Sequence, residues 1–278
     1  MLTITSVEMN TWIAALLWPL SRILGMIAAS PLFGNASFPM SGKIMLGIVI
    51  AMIMAPVIPP GPAADPMSMA GLLIVLQEML VGLALGFAIR IVFAAVEMAG
   101  EVVSATMGLG FASVFDPQTK GRSSAVSQFL ALISTMAILA INGHLLLLEV
   151  LAESFVTMPI SATPASAGLM LQLVKWAGAI FSVGLQLSLP IVAALLITNV
   201  ALGILTRAAP QLNIFGIGFP VSLGVGLILI SQALPYMSVP LQNLFNQGLE
   251  HARAIPRAGA ARTPPGSVPL LPLAGPKQ

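Results

Sequence analysis

Apolar runs too long for a soluble core dominate this sequence. A transmembrane helix needs about 20 predominantly apolar residues at about 1.5 Å per residue. The chain offers about six candidate runs by that measure: Trp12 to Phe33, Ile44 to Ile58, Met69 to Met107, Ala125 to Leu148, Met170 to Leu205 and Ile214 to Leu234. Charge is correspondingly scarce. Only 7% of the 278 residues are charged and 58% are hydrophobic, against about 25% charged in a soluble domain. These numbers exclude an ordinary soluble enzyme or nucleic-acid binder. The net charge of +2 is too small to signal nucleic acid. With no cysteine and two histidines, neither a thiolate metal centre nor a His-rich one has material. The N-terminus lacks the basic region of a cleavable signal peptide, since its first basic residue is Arg22, inside an apolar run.

The runs are predicted to be helices, several of them interrupted. The second is short and ends at Pro59-Pro60-Gly61-Pro62, which cannot continue a helix. The third, kept as one helix to Met107, would be roughly 60 Å long, about twice the hydrocarbon thickness. It must protrude, break, or sit in something thicker than a bilayer. The fourth is expected to continue toward Phe155, and the fifth to be opened at Pro190. From His251 the chain turns Pro-, Gly- and Ala-rich with scattered Arg, the composition of a disordered tail. The resulting fold class is an all-α membrane protein of about six long helices, arranged as hairpins.

Lys43, Lys120, Arg122 and Arg207 fall in the loops after the odd runs. The loops after the even runs carry Asp65, Glu149 and Glu153 instead. The positive-inside rule then places the odd loops in the cytoplasm and both termini outside. Arg253, Arg257, Arg262 and Lys277 in the tail point the other way.

Charges inside apolar runs are costly and need partners or water. Arg90, Glu97 and Glu101 share one helical stripe, the two acids lying about 20° to either side of the arginine. The stripe reads as the lining of a watery path, as a buried ion pair, or as a contact between subunits. Glu78 lies about 120° away and needs a different partner. Lys175 and, less readily, Arg22 sit where a long side chain could snorkel to the interface. Gly82 and Gly86 form a small-xxx-small face for close helix packing. His144 reads as a structural histidine with its hydrogen bonds met. No HExxH, P-loop or Gly-x-Ser-x-Gly pattern occurs, and Asp65 and Asp116 both lie in loops. The chain is expected to be no enzyme and to need no cofactor.

Two segments are distinctive: Met107-Gly108-Leu109-Gly110-Phe111-Ala112-Ser113-Val114-Phe115-Asp116-Pro117, and Arg207-Ala208-Ala209-Pro210-Gln211-Leu212-Asn213-Ile214-Phe215-Gly216-Ile217-Gly218-Phe219-Pro220. With Pro31-Leu32-Phe33-Gly34, Asn142-Gly143-His144-Leu145 and Leu189-Pro190, they resemble the FliR/SctT family of type III secretion export-gate subunits. The resemblance covers about residues 5 to 250. It implies a structural subunit of a protein-conducting gate in the bacterial inner membrane, within the flagellar basal body, for unfolded flagellar proteins. The flagellar pattern is favoured over the virulence type. FliP-like and FliQ-like subunits and an FlhB-like switch protein would be its partners, in a hetero-oligomeric helical assembly. Residues 1–168 would form a P-like part, 169–250 a Q-like helical hairpin, and 251–278 the tail. The pore plug would be Met107, Gly108, Gly110, Phe111 and Phe115, with the phenylalanines as stoppers. Arg207, Pro210, Gln211 and Asn213 would mark the Q-like hairpin turn. A stand-alone transporter of a small solute is the rival reading, resting on Arg90, Glu97, Glu101, Glu78 and the proline in the fifth run.

Overall fold

The structure, a computed structural model, describes residues 6–35, 37–62, 64–111, 123–161, 163, 166, 168–209 and 218–260. Among them every regular element is helical. The order is α1 Ser6–Ala29, α2 Met40–Met54, α3 Met69–Thr106, α4 Ala125–Ala140, α5 Gly143–Thr157, α6 Gly168–Ala177, α7 Ala179–Ala208, α8 Phe219–Ala233 and α9 Ser238–Gly259.

The third run does not break. α3 is one helix of 38 residues, about 57 Å at about 1.5 Å per residue. Its N-terminus is capped by Ser68, whose hydroxyl accepts from the Gly71 amide, satisfying one of the donors a helix start leaves open. α3 is also the axis of the fold. α1, α4, α7 and α9 all pack along it, α2 lies on α1, and α8 lies on α7. Ile89, Ile91, Ala95 and Val96 on α3 are completely buried.

α1 reaches α3 through missing side chains. A Cβ at Gly82 would collide with the Arg22 carbonyl oxygen, one at Gly86 would stand 2.5 Å from the Met26 carbonyl, and one at Gly25 would stand 2.5 Å from that of Met79. The small-xxx-small pair thus sets a backbone-to-backbone crossing.

The fourth run divides. α4 and α5 meet at an angle of 71°, and the junction is Asn142, left-handed at φ 56°. Asparagine is one of the few residues that adopts this region readily. Gly143 beside it lies against the Phe245 ring. Asn142→Ala is expected to destabilise the fold by up to about 1–2 kcal/mol, because alanine enters the left-handed region less readily than asparagine. Asn142→Gly should cost far less, and thermal unfolding of the detergent-solubilised protein would order the two.

Several expectations are corrected. The fifth run stays helical through Pro190, with only the single turn residue Gly178 separating α6 from α7; one lost backbone hydrogen bond does not end a helix packed along α3. The chain does not become a tail at His251. α9 runs to Gly259, with Leu244, Phe245, Leu249, Ala252 and Ile255 buried and Gln242, Asn243, Asn246 and Gln247 exposed, the single apolar face of an amphipathic helix. Among the described residues four helical stretches, α1, α3, α6–α7 and α8–α9, are long and apolar enough to cross a membrane, or five if α4 and α5 form one span; α2, at 15 residues, is short.

Candidate functional site

The polar chemistry inside the apolar body gathers at the crossing of α1, α3 and α5. Arg22 is fully buried rather than snorkelling outward. Its Nε donates to Glu78 Oε2 at 2.6 Å, Nη1 to the Ser154 carbonyl at 2.8 Å and Oγ at 3.2 Å, and Nη2 to the Met158 carbonyl at 2.9 Å. The guanidinium carbon stands 4.4 Å over the Phe155 ring. One side chain therefore neutralises Glu78 and caps the carbonyl end of α5, where the helix dipole is negative. Glu78, the acid that the stripe could not accommodate, has found its partner.

A second tie joins α6, α9 and α3. The Trp176 indole N–H donates to the Ala88 carbonyl at 2.9 Å, and the His251 ring stacks on Trp176 at 4.2 Å. Further along α9, Arg253 pairs with Glu149 and Glu153, and Arg257 with Glu153. The arginines that seemed to oppose the charge rule thus lie beside the acids of α5. Arg262 and Lys277 lie outside the described residues.

Arg90, Glu97 and Glu101 do not form an ion pair with one another among the described residues. Arg90 and Glu101 are exposed and Glu97 is half-buried. They lie on one uncovered face of α3. Toward the N-terminus that face is apolar, with Leu72, Leu76, Met79 and Phe87 exposed; from Arg90 onward it is charged. Lys175 is exposed in the last turn of α6, and Arg207 in the last turn of α7. The Nδ1 of His144 is buried and has no hydrogen-bond partner among the described residues.

The segment predicted to plug a pore leaves from the end of α3. Gly108 takes φ 87°, a conformation that favours glycine, and it turns the chain out of the helix into a short 3-10 turn, Leu109–Phe111. Met107, the first residue of that segment, packs within the chain. It is 1% exposed and lies on Gly226 of α8, where a Cβ would come within 2.6 Å of its Cε. A Cβ on Gly110 would meet no atom of the described residues within 4 Å. The side chain of Phe111 and all of Phe115, Pro210, Gln211 and Asn213 lie outside the described residues.

The returning strand of chain is fixed to α3 as well. Glu101 Oε1 accepts from the Ser124 amide at 2.7 Å, and Ser127 Oγ donates to the Glu97 carbonyl at 2.8 Å. A Cβ at Gly100 would stand 2.5 Å from Ser127 Cα. Sequence reasoning found Glu97 and Glu101 by their shared stripe but not this second use of both residues.

Fold and site together define an all-helical, multi-pass membrane protein whose longest helix keeps one face open. Residues 13–248 match the family described as bacterial export proteins, family 1, and the chain belongs to that family. It is 39% identical over 247 residues to the flagellar biosynthetic protein FliR of Pectobacterium carotovorum, covering 89% of this chain and 94% of that one. The FliR of Escherichia coli is 36% identical over 247 residues, covering 89% of this chain and 94% of its own. That of Bacillus subtilis is 32% identical over 237 residues, covering 84% and 90%. This membership supports a subunit for flagellar protein export and not a transporter of small solutes.

Proposed function

We propose that this chain forms and closes part of the protein-conducting pore of the flagellar export gate, as one subunit among FliP-like and FliQ-like partners in the inner membrane. The observation that carries the reading is the open face of α3. A helix of 38 residues is about 57 Å long, well beyond a bilayer of about 30 Å, and its uncovered face changes from apolar to charged at Arg90. Such a face needs either partner helices or water. Arg90, Glu97 and Glu101 would supply one or both, in an assembly that rises beyond the membrane plane.

The unequal cover of the helices supports the same reading. α1 to α5 enclose the Arg22–Glu78 pair, whereas α7 and α8 leave Phe181, Leu189, Ile197, Val200 and Ile228 exposed. An apolar hairpin with so little cover fits a Q-like element, residues 169–250, that packs among other subunits. Its turn, Arg207 to Asn213, would face the cytoplasm and an FlhB-like protein, with the termini on the periplasmic side. The role is structural: unfolded flagellar proteins are the cargo, and no bond is made or broken.

Closure would fall to Gly108, Gly110, Phe111 and Phe115, with Met107 as the anchor behind them. Phe111→Ala with Phe115→Ala, or deletion of residues 110–113, should make the resting gate leak. Sodium or small-molecule influx into cells carrying the assembled complex is expected to rise several-fold. Unchanged permeability with the complex intact would count against these residues as the plug.

A further inference from the structure

The chain leaves α3 at Met107 and returns at Ser124, and its two ends are held differently. On the return side α4 lies backbone against backbone on α3, with Gly100 leaving no room at Ser127 and Ser127 completely buried. On the exit side the hold is made by side chains of the α7–α8 hairpin. Asn199 Nδ2 donates to the Thr106 carbonyl at 3.3 Å, and Ser222 Oγ donates to Asn199 Oδ1 at 2.8 Å. Met107 completes it by resting on Gly226. That contact is a flexible thioether against a bare backbone, which deforms easily. The hairpin is also thinly covered: only 22% of the most apolar stretch of α6–α7 is buried, against 67% for α3. A long hydrogen bond and one soft contact make this the weaker of the two holds.

We infer that Asn199, Ser222 and Gly226 form a clasp by which the α7–α8 hairpin positions the C-terminal end of α3, and that the clasp parts when the gate opens. The inference rests on the export-gate reading above. Asn199 is a positioning residue. One amide reads both sides of the joint, accepting from α8 and donating to α3, so loss of either contact loosens the other.

The absence of cysteine gives a clean background for a test. Met107 Cγ lies 2.7 Å from where a Cβ at Gly226 would stand, close to the position a bridging sulfur would take. Met107→Cys with Gly226→Cys, in the full chain assembled with its partners, should cross-link on oxidation. Secretion of a flagellar protein is expected to fall at least about tenfold when the bridge forms and to recover on reduction, the reduced double variant serving as its own baseline. Complete cross-linking with secretion unchanged would overturn the clasp. Should the cysteine pair fail to assemble, Asn199→Ala decides. Several-fold greater ion leak at normal complex yield supports the clasp, and normal leak overturns it. Either negative result leaves the export-gate reading standing. That reading fails instead if a strain lacking this chain secretes flagellar proteins normally.

Discussion

Arg22→Ala is expected to remove most of the protein from the membrane fraction. The substitution strips Glu78 of its partner inside the body and uncaps the carbonyl end of α5 at Ser154 and Met158. Breaking a buried ion pair by removing one side costs about 3–5 kcal/mol. Marginal stabilities of about 5–15 kcal/mol leave little after such a loss. Arg22→Lys should rescue poorly, because a single ammonium cannot reach Glu78 and two carbonyls with the geometry of a planar guanidinium. Arg22→Met combined with Glu78→Leu should recover part of the loss, since no lone charge then remains buried. Recovery stays incomplete because the α5 carbonyls still lack their donor. Quantitative immunoblotting of membranes, with thermal melts of the purified variants, would rank the set. A double variant no better than Arg22→Ala would show that the ion pair is not the source of the effect.

Gly82→Leu should be nearly as severe, for a different reason. The added Cβ would meet the Arg22 backbone itself, not the end of a flexible side chain. Over-packing a tight core costs about 1–3 kcal/mol, and more where a main chain must move. Here α1 would have to lift from α3, carrying the Arg22–Glu78 contact with it. Gly224→Leu is the matched control. A Cβ there meets nothing within 4 Å, so the fold of the single chain should be unaffected. Comparable losses at Gly82 and Gly224 would contradict the crossing described here.

Local pattern and global pairing were unequally legible in the sequence. Helical class and the Gly82–Gly86 packing face follow from run length and spacing within single segments and were readable, whereas the length of the third run left open whether α3 breaks. The shared stripe of Arg90, Glu97 and Glu101 was readable for the same reason. What joins distant segments was not. Arg22 and Glu78 are 56 positions apart, and nothing in either run tells which of several charges will meet. Arg253 and Glu149 are 104 positions apart, so the arginines of α9 looked like an unpaired tail. A signal was present there: Leu241, Leu244, Phe245, Leu249 and Ala252 repeat at helical spacing, but the composition around Pro256 masked it. Pro190 misled in the opposite direction. Proline disfavours a helix interior, yet packing along α3 outweighs one missing hydrogen bond, and α7 runs on through it. The position of Met107 illustrates a third limit, since its burial depends on Gly226, a residue of a helix far along the chain.

The central claim is that this chain works only as part of a larger export assembly. Purification of the tagged protein from its native membrane in mild detergent, followed by mass spectrometry of what accompanies it, tests that most directly. The account predicts stable recovery with FliP-like and FliQ-like subunits, those partners outnumbering this chain. A monodisperse particle containing this chain alone, with Arg90 and Glu97 still required for activity, would contradict it.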